Sequence, residues 1–222
     1  MSYKCDPELG KEVHKVLMTV GVETPMHLDK VKTPDSDKIA KIAELTGQML
    51  STLGLDLSDD SLIETPARVA KMYVREIFYG LNYDNFPKCT TVENKMHYDE
   101  MVIEKNITVY SDCEHHLRPI HGVAHVAYIP NEVVLGLSKI NRIVDFFSRR
   151  PQIQERLVEQ IYHALSFILK TDNVAVVIEA EHFCVKQRGI QDSSSSTMTS
   201  KLGGNFRLDG TVRAEFLNLI RC

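Results

Sequence analysis

The sequence predicts an α+β fold in which a helical N-terminal region precedes a mixed run of strands and helices. Three observations lead there. Apolar residues recur at helical spacing through the first third of the chain. Near Met101 the period changes to alternation, the mark of strands. Beyond it, segments follow in the order strand, strand, helix, helix, strand, which suits a helix-covered sheet better than a bundle or a sandwich.

Taken in order, Leu9, Val13, Val16, Leu17 and Val20 form the first apolar stripe, and Gly21 is a natural stop. Thr33-Pro34 opens a second helix with Ile39, Ile42, Ala43, Thr46, Met49, Leu50 and Leu53 on one face. Thr65-Pro66 reads as a cap followed by proline at the first helical position. Val69, Met72, Tyr73 and Ile77 make that helix's apolar face, and Gly80 ends it. Ile103, Lys105, Ile107 and Val109 lie on a strand that pairs as a hairpin with the β-rich segment Gly122 to Ile129. Ser138 to Arg149 and Pro151 to Lys170 are helical in period, and Val174 to Val185 is strand-like. The serine run from Asp192 to Thr197 and the pair Gly203-Gly204 read as a polar loop. A last helix is expected over Val212 to Ile220. The change of period divides the chain into residues 1–98, helical, and residues 99–222, expected to carry the chemistry.

At 222 residues the chain suffices for one large domain or two modest ones. A formal net charge of -4 supplies no global positive field, so nucleic acid is not an expected partner. No apolar stretch is long enough for a bilayer and the N-terminus lacks a secretion signal, so a cytoplasmic location is expected. Five scattered cysteines, an odd number, suit free, buried or metal-bound thiols better than a disulfide framework.

Four stretches could do chemistry. Cys113 and His116 have the C-x-x-H spacing that lets a tight turn aim sulfur and imidazole at one metal. Taken alone, that spacing fits a buried cysteine beside two surface histidines equally well. On a regular strand His182, Cys184, Lys186 and Arg188 share one face, which is poor core material and therefore a site or an exposed edge. Together the two segments offer Cys113, His116 and Cys184 to a zinc ion with one position left for water, the arrangement of a catalytic centre. His115 and His182 then stand as unligated imidazoles suited to moving protons, unless one of them closes a four-ligand structural site.

The third stretch opens the helix at Gly136. Ile140, Ile143, Val144 and Phe147 form its buried stripe, which leaves Ser138 and Arg142 opposite and Lys139 on the flank. With Ser138 as cap, the free N–H groups beside Lys139 and Arg142 suit a phosphate; an ordinary capped helix with solvated cations is the competing reading. Fourth, Gln154 and Glu155 lie in the first turns of the helix begun by Pro151. A carboxylate there serves the helix dipole, or accepts two N–H bonds from a guanine edge.

In order and spacing, Cys113-Glu114-His115-His116, Gly136-Leu137-Ser138-Lys139-Ile140-Asn141-Arg142, Arg150-Pro151-Gln152-Ile153-Gln154-Glu155-Arg156 and His182-Phe183-Cys184-Val185-Lys186-Gln187-Arg188-Gly189 together resemble GTP cyclohydrolase I. The resemblance runs from about Asp59, through Glu64-Thr65-Pro66-Ala67-Arg68-Val69-Ala70-Lys71-Met72, to about Gly204. It implies a tunnelling fold, an antiparallel sheet with two helices packed on it. It also implies a homodecamer of two stacked pentamers with active sites at subunit junctions. The implied zinc ligands are Cys113, His116 and Cys184, and the implied proton-transfer pair is His115 and His182. Glu155, with Gln154 nearby, is the implied guanine reader. Ser138, Lys139, Arg142 and Arg188 are the implied triphosphate ligands, joined by Arg68 and Lys71 from a neighbouring subunit. The implied reaction is zinc-dependent hydrolytic opening of the guanine imidazole ring of GTP. It releases formate and yields dihydroneopterin triphosphate for folate or tetrahydrobiopterin. Leu117-Arg118-Pro119-Ile120-His121 falls outside the pattern, and Arg118 adds a cation close to the metal group. Another tunnelling-fold pterin or deazapurine enzyme, or a non-catalytic zinc-stabilised oligomer, are the competing classes.

Overall fold

The computed structural model describes residues 3–221. Helix α1 (Pro7–Val20) starts where the Asp6 carboxylate accepts the Leu9 N–H at 3.1 Å, with proline in its first turn. It stops at Gly21, whose φ of 76° lies in the left-handed region glycine enters without strain. A short helix not anticipated from sequence, α2 (Leu28–Val31), precedes α3 (Asp35–Thr52) and α4 (Thr65–Met72). Thr65 is the first helical residue of α4 and not its cap; Glu64 holds that place. The chain continues through a π-turn at Tyr73–Ile77 and two 3-10 turns before Gly80 packs against the backbone of Phe146 and Arg149.

Strand β1 (Thr91–Glu93) is followed by the long hairpin of β2 (Val102–Cys113) and β3 (Pro119–Tyr128), which pair antiparallel. Next come β4 (Val133–Leu135), α5 (Leu137–Ser148), β5 (Pro151–Gln152), α6 (Gln154–Leu169) and β6 (Val174–His182). The chain ends with α7 (Phe183–Lys186), β7 (Thr197–Leu202), α8 (Gly204–Leu208) and α9 (Gly210–Arg221). Five strands form one sheet in the order β5-β2-β3-β6-β7, while β1 and β4 pair separately. All the neighbours in the larger sheet are antiparallel except β5, which lies parallel to β2.

The strand period decides which face each residue serves. Ile107, Val109, Ala124, Val126, Val176 and Ile178 enter one core with Ile140, Ile143, Val144 and Phe147 of α5 and Leu157, Ile161 and Leu165 of α6. Val13 and Leu17 of α1 belong to the same core. Ala127, Ala175 and Val177 point the other way, where Phe206 and Phe216 of α8 and α9 cover them. The α+β fold, with two helices on an antiparallel sheet behind N-terminal helices, is as expected. Among the described residues no helix is long and apolar enough to cross a membrane.

Four local expectations are corrected. Pro151 does not begin a helix; it pairs beside Asp112 in β5, and α6 starts at Gln154 after Ile153. Ser138 does not cap α5, because Gly136 occupies the cap position and Ser138 is already helical and exposed. The strand read to Val185 ends at His182, where the Gln187 N–H closes a helical turn on the Phe183 carbonyl at 3.0 Å. His182, Cys184, Lys186 and Arg188 therefore do not share a strand face. The segment read as a polar loop contains β7, an edge strand whose pairing with β6 overrides its weak local preference.

Candidate active site

Cys113 is the last residue of β2 and is buried. Its carbonyl accepts the N–H groups of His116 and Leu117 at 3.3 and 2.8 Å, and its own N–H donates to the Arg118 carbonyl at 2.8 Å. Leu117 has φ of 48°, so the turn is tight enough to fold His116 back over the cysteine. Cys113 Sγ lies 3.9 Å from His116 Nδ1 and 3.8 Å from His115 Nδ1. The helical turn of α7 brings Cys184 to the same point. Ligand atoms of Cys113, His116 and Cys184 all lie within 4.8 Å of one another.

A zinc ion suits that donor set. Zinc–sulfur distances of about 2.3 Å and zinc–nitrogen distances of about 2.0–2.1 Å at tetrahedral angles separate ligand atoms by roughly 3.5–3.8 Å. The three side chains are near that spacing already. Burial, and then the neighbouring Cys113, push the Cys184 thiol above its ordinary value, a bias that a divalent cation held between the sulfurs reverses. Ion pairs and hydrogen bonds tie the turn to its surroundings. Arg156 Nη1 of α6 bonds Glu114 Oε2 at 2.5 Å, Arg188 Nη1 lies 2.8 Å from His116 Nε2, and Arg118 donates to Gln187 Oε1.

His182 is half-buried beside this group, with Nε2 2.7 Å from Gln154 Oε1. Burial holds its pKa below the ordinary value, and Glu155 opposes that effect. Glu155 is exposed at the N-terminus of α6. Gln154 is 2% exposed and its amide already serves four partners. Its side chain therefore differs from the guanine-reading role expected alongside Glu155. The neighbourhood of His115, His116, His182, Cys113, Cys184, Glu155 and Arg188 is thus assembled by one chain.

The remaining cations are elsewhere. Lys139 and Arg142, with exposed Ser138, occupy the N-terminal part of α5, near Tyr3 and Cys89. Arg142 lies over the Tyr3 ring at 5.4 Å. Partial burial pushes the Cys89 thiol up to about 12 despite both cations, which keeps it protonated and unreactive. Leu135, just before α5, bonds the Tyr128 hydroxyl at the far end of β3, whereas Cys113 lies beside Pro119 at the near end. The ten residues of β3 span about 30 Å at 3.3 Å per residue. Arg68 and Lys71 are exposed on α4, where Arg68 pairs with Glu64 at 2.6 Å.

The family model for GTP cyclohydrolase I matches residues 42–221. The chain belongs to this family. GTP cyclohydrolase 1 of Enterobacter sp. (strain 638) is 53% identical over 218 residues, covering 97% of this chain and 98% of that one. The protein of the same name from Shewanella denitrificans is 56% identical over 206 residues, covering 93% and 94% respectively. That of Salmonella gallinarum is 53% identical over 218 residues. Family membership accounts for the four stretches occurring together. Sequence reasoning passed over Glu114, Arg156 and Gln187, which brace the turn. The signal that could have found them is that each lies inside one of the matching stretches.

Proposed function

We propose that this chain is a hydrolase that opens the imidazole ring of the guanine of GTP. It releases formate and forms dihydroneopterin triphosphate, an early step of pterin biosynthesis. The convergence of Cys113, His116 and Cys184 beside His182, in a chain of this family, carries the reading. Cys113, His116 and Cys184 hold zinc in this proposal, with a coordination position left for water. Bound zinc lowers the pKa of water to about 7, so hydroxide is available at neutral pH.

The side chains do the rest. His115 and His182 move protons, one to the ring nitrogen that leaves when the imidazole opens and one from the attacking water. Glu155 accepts N–H bonds from the guanine edge and so orients the ring carbon toward the metal-binding group. Arg188 binds the triphosphate next to the metal group. A second water hydrolyses the formamide so produced and releases formate, and the rearranged ribose carbons close onto the pyrimidine with loss of water, so no redox cofactor is needed.

Ser138, Lys139 and Arg142 are triphosphate ligands of a site in a neighbouring copy. Their place in the first turns of α5, beside Tyr3 and Cys89, is the basis for proposing active sites shared between subunits. Arg68 and Lys71 join them, and the assembly is a homodecamer. The division at residues 98 and 99 belongs to the same proposal, with a helical N-terminal region in residues 1–98 and the catalytic region in residues 99–222.

The test is direct. Zinc-loaded protein incubated with GTP should release formate and, after oxidation, give a fluorescent pterin. A chelator should abolish both signals and added zinc should restore them. Assembled, zinc-replete protein that yields neither product overturns the proposal.

A further inference from the structure

Gln154 is the first residue of α6, yet its side chain is used up inside the protein. Nε2, with two hydrogens to share, faces three acceptors, the Ile178 carbonyl at 3.0 Å, the Thr197 carbonyl at 2.9 Å and Thr199 Oγ1 at 3.1 Å. Those groups belong to β6 and β7, where Ile178 and Thr199 are register partners. A backbone carbonyl has lone pairs and no hydrogen, so only the amide nitrogen can face it. The orientation of the amide follows from this network. Oε1 is left to face His182 Nε2 at 2.7 Å.

An amide oxygen is an acceptor only, so Nε2 of His182 must carry the hydrogen between them. In a neutral imidazole the other nitrogen then holds the lone pair. We propose that Gln154 is a positioning residue that holds His182 as the Nε2–H tautomer and leaves Nδ1 as its proton-accepting atom. The edge strand β7 thereby takes part in the chemistry, because its Thr197 carbonyl, with the Ile178 carbonyl of β6, decides which way the amide points. This assignment rests on the proton-transfer reading of His182. It gives Gln154 a task other than reading the base, which is left to Glu155.

The experiment uses full-length, zinc-loaded protein labelled with 13C and 15N in histidine, at a pH where the ring is neutral. His182 signals are identified by their loss in His182→Asn. The wild-type spectrum should show the Nε2–H tautomer. Gln154→Leu, which removes the acceptor, should give a mixture of tautomers. Its kcat should fall by about 10- to 100-fold with KM for GTP little changed, the usual cost of removing a partner that orients a working side chain. An Nδ1–H tautomer in the wild type overturns the inference even if no variant folds, and so does an unchanged tautomer in Gln154→Leu. A tautomer scrambled at undiminished kcat upholds Gln154 as the positioning group and instead removes His182 from the proton-transfer pair.

Discussion

His115 and His116 are chain neighbours with different work in the proposed site. Cys113 does not discriminate between them, since its sulfur is 3.8 Å from one Nδ1 and 3.9 Å from the other. Cys184 does, because only His116 joins both sulfurs within 4.8 Å. His116→Ala should therefore lose zinc and activity together. His115→Ala should keep zinc near one per subunit while turnover drops by about 10²–10⁴-fold, as for a lost general acid or base. Metal analysis of both purified variants decides it, and zinc lost from His115→Ala but kept in His116→Ala means the roles are exchanged. Arg188 is reached differently than the strand reading expected, through α7 and its contact with His116. Arg188→Ala should still mainly raise KM for GTP with zinc content normal, by the 1.5–3 kcal/mol or so of a charge-assisted phosphate bond. Equal slowing of a phosphate-free guanosine, if that nucleoside is turned over, refutes the phosphate role.

At the scale of elements, the β2–β3 hairpin carries a bulge that links its register to a buried histidine. The register shifts between Glu104 and Ile107, and Asn106 takes the left-handed φ of 59° that the extra residue requires. Its N–H donates to His125 Nδ1 at 3.4 Å, which needs a lone pair on that nitrogen. Burial holds the His125 pKa below its ordinary 6.5, against the pull of Glu179 and with the help of Lys105. The unfolded chain therefore takes up the proton first. The folded state's advantage is whole above pH 6.5 and declines as the pH falls through and below it. His125→Asn should lack this acid-side loss. The expected result is a melting temperature that falls less between pH 7.5 and 5.5 than that of the wild type, measured on protein in the same oligomeric state. A parallel decline in the two proteins refutes it.

At the scale of the whole molecule, a single chain leaves two things undone. Leu45 and Met49 of α3 and Leu53 just after it stay 50%, 55% and 72% exposed, an apolar face that wants a partner. Ser138, Lys139 and Arg142 stand at the start of α5, beside Tyr3 and Cys89 and not in the contacts that hold the Cys113 turn. Both facts are met if copies of the chain join and the site is completed across the junction. Subunits separated by dilution or by charged substitutions in the α3 stripe, and shown folded by circular dichroism, should have no GTP turnover. Full activity in monomers verified by ultracentrifugation rules out the shared site.

Much of this was legible in the sequence because it depends on local physics. Helical and strand periods located α1, α3, α5, α6, β2 and β3, since the period fixes which face an element can bury whatever packs against it. Gly21 marked its helix end because only a residue without a side chain enters that φ freely. The residues near the metal group were legible as a set through their spacing and the family resemblance. Tertiary contacts decided the rest. The serine- and threonine-rich segment becomes β7 only because β6 offers it backbone partners, and Pro151 becomes a strand residue only because β2 lies alongside. His182 and Cys184 are two residues apart, but the chain coils between them because the sulfur of Cys184 meets Cys113 from a distant strand end. Gln154 shows the limit most clearly. Its chemistry suits a base edge as well as a histidine, and only the carbonyls of two strands, folded against it from 24 and 43 residues away, fix which atom points where.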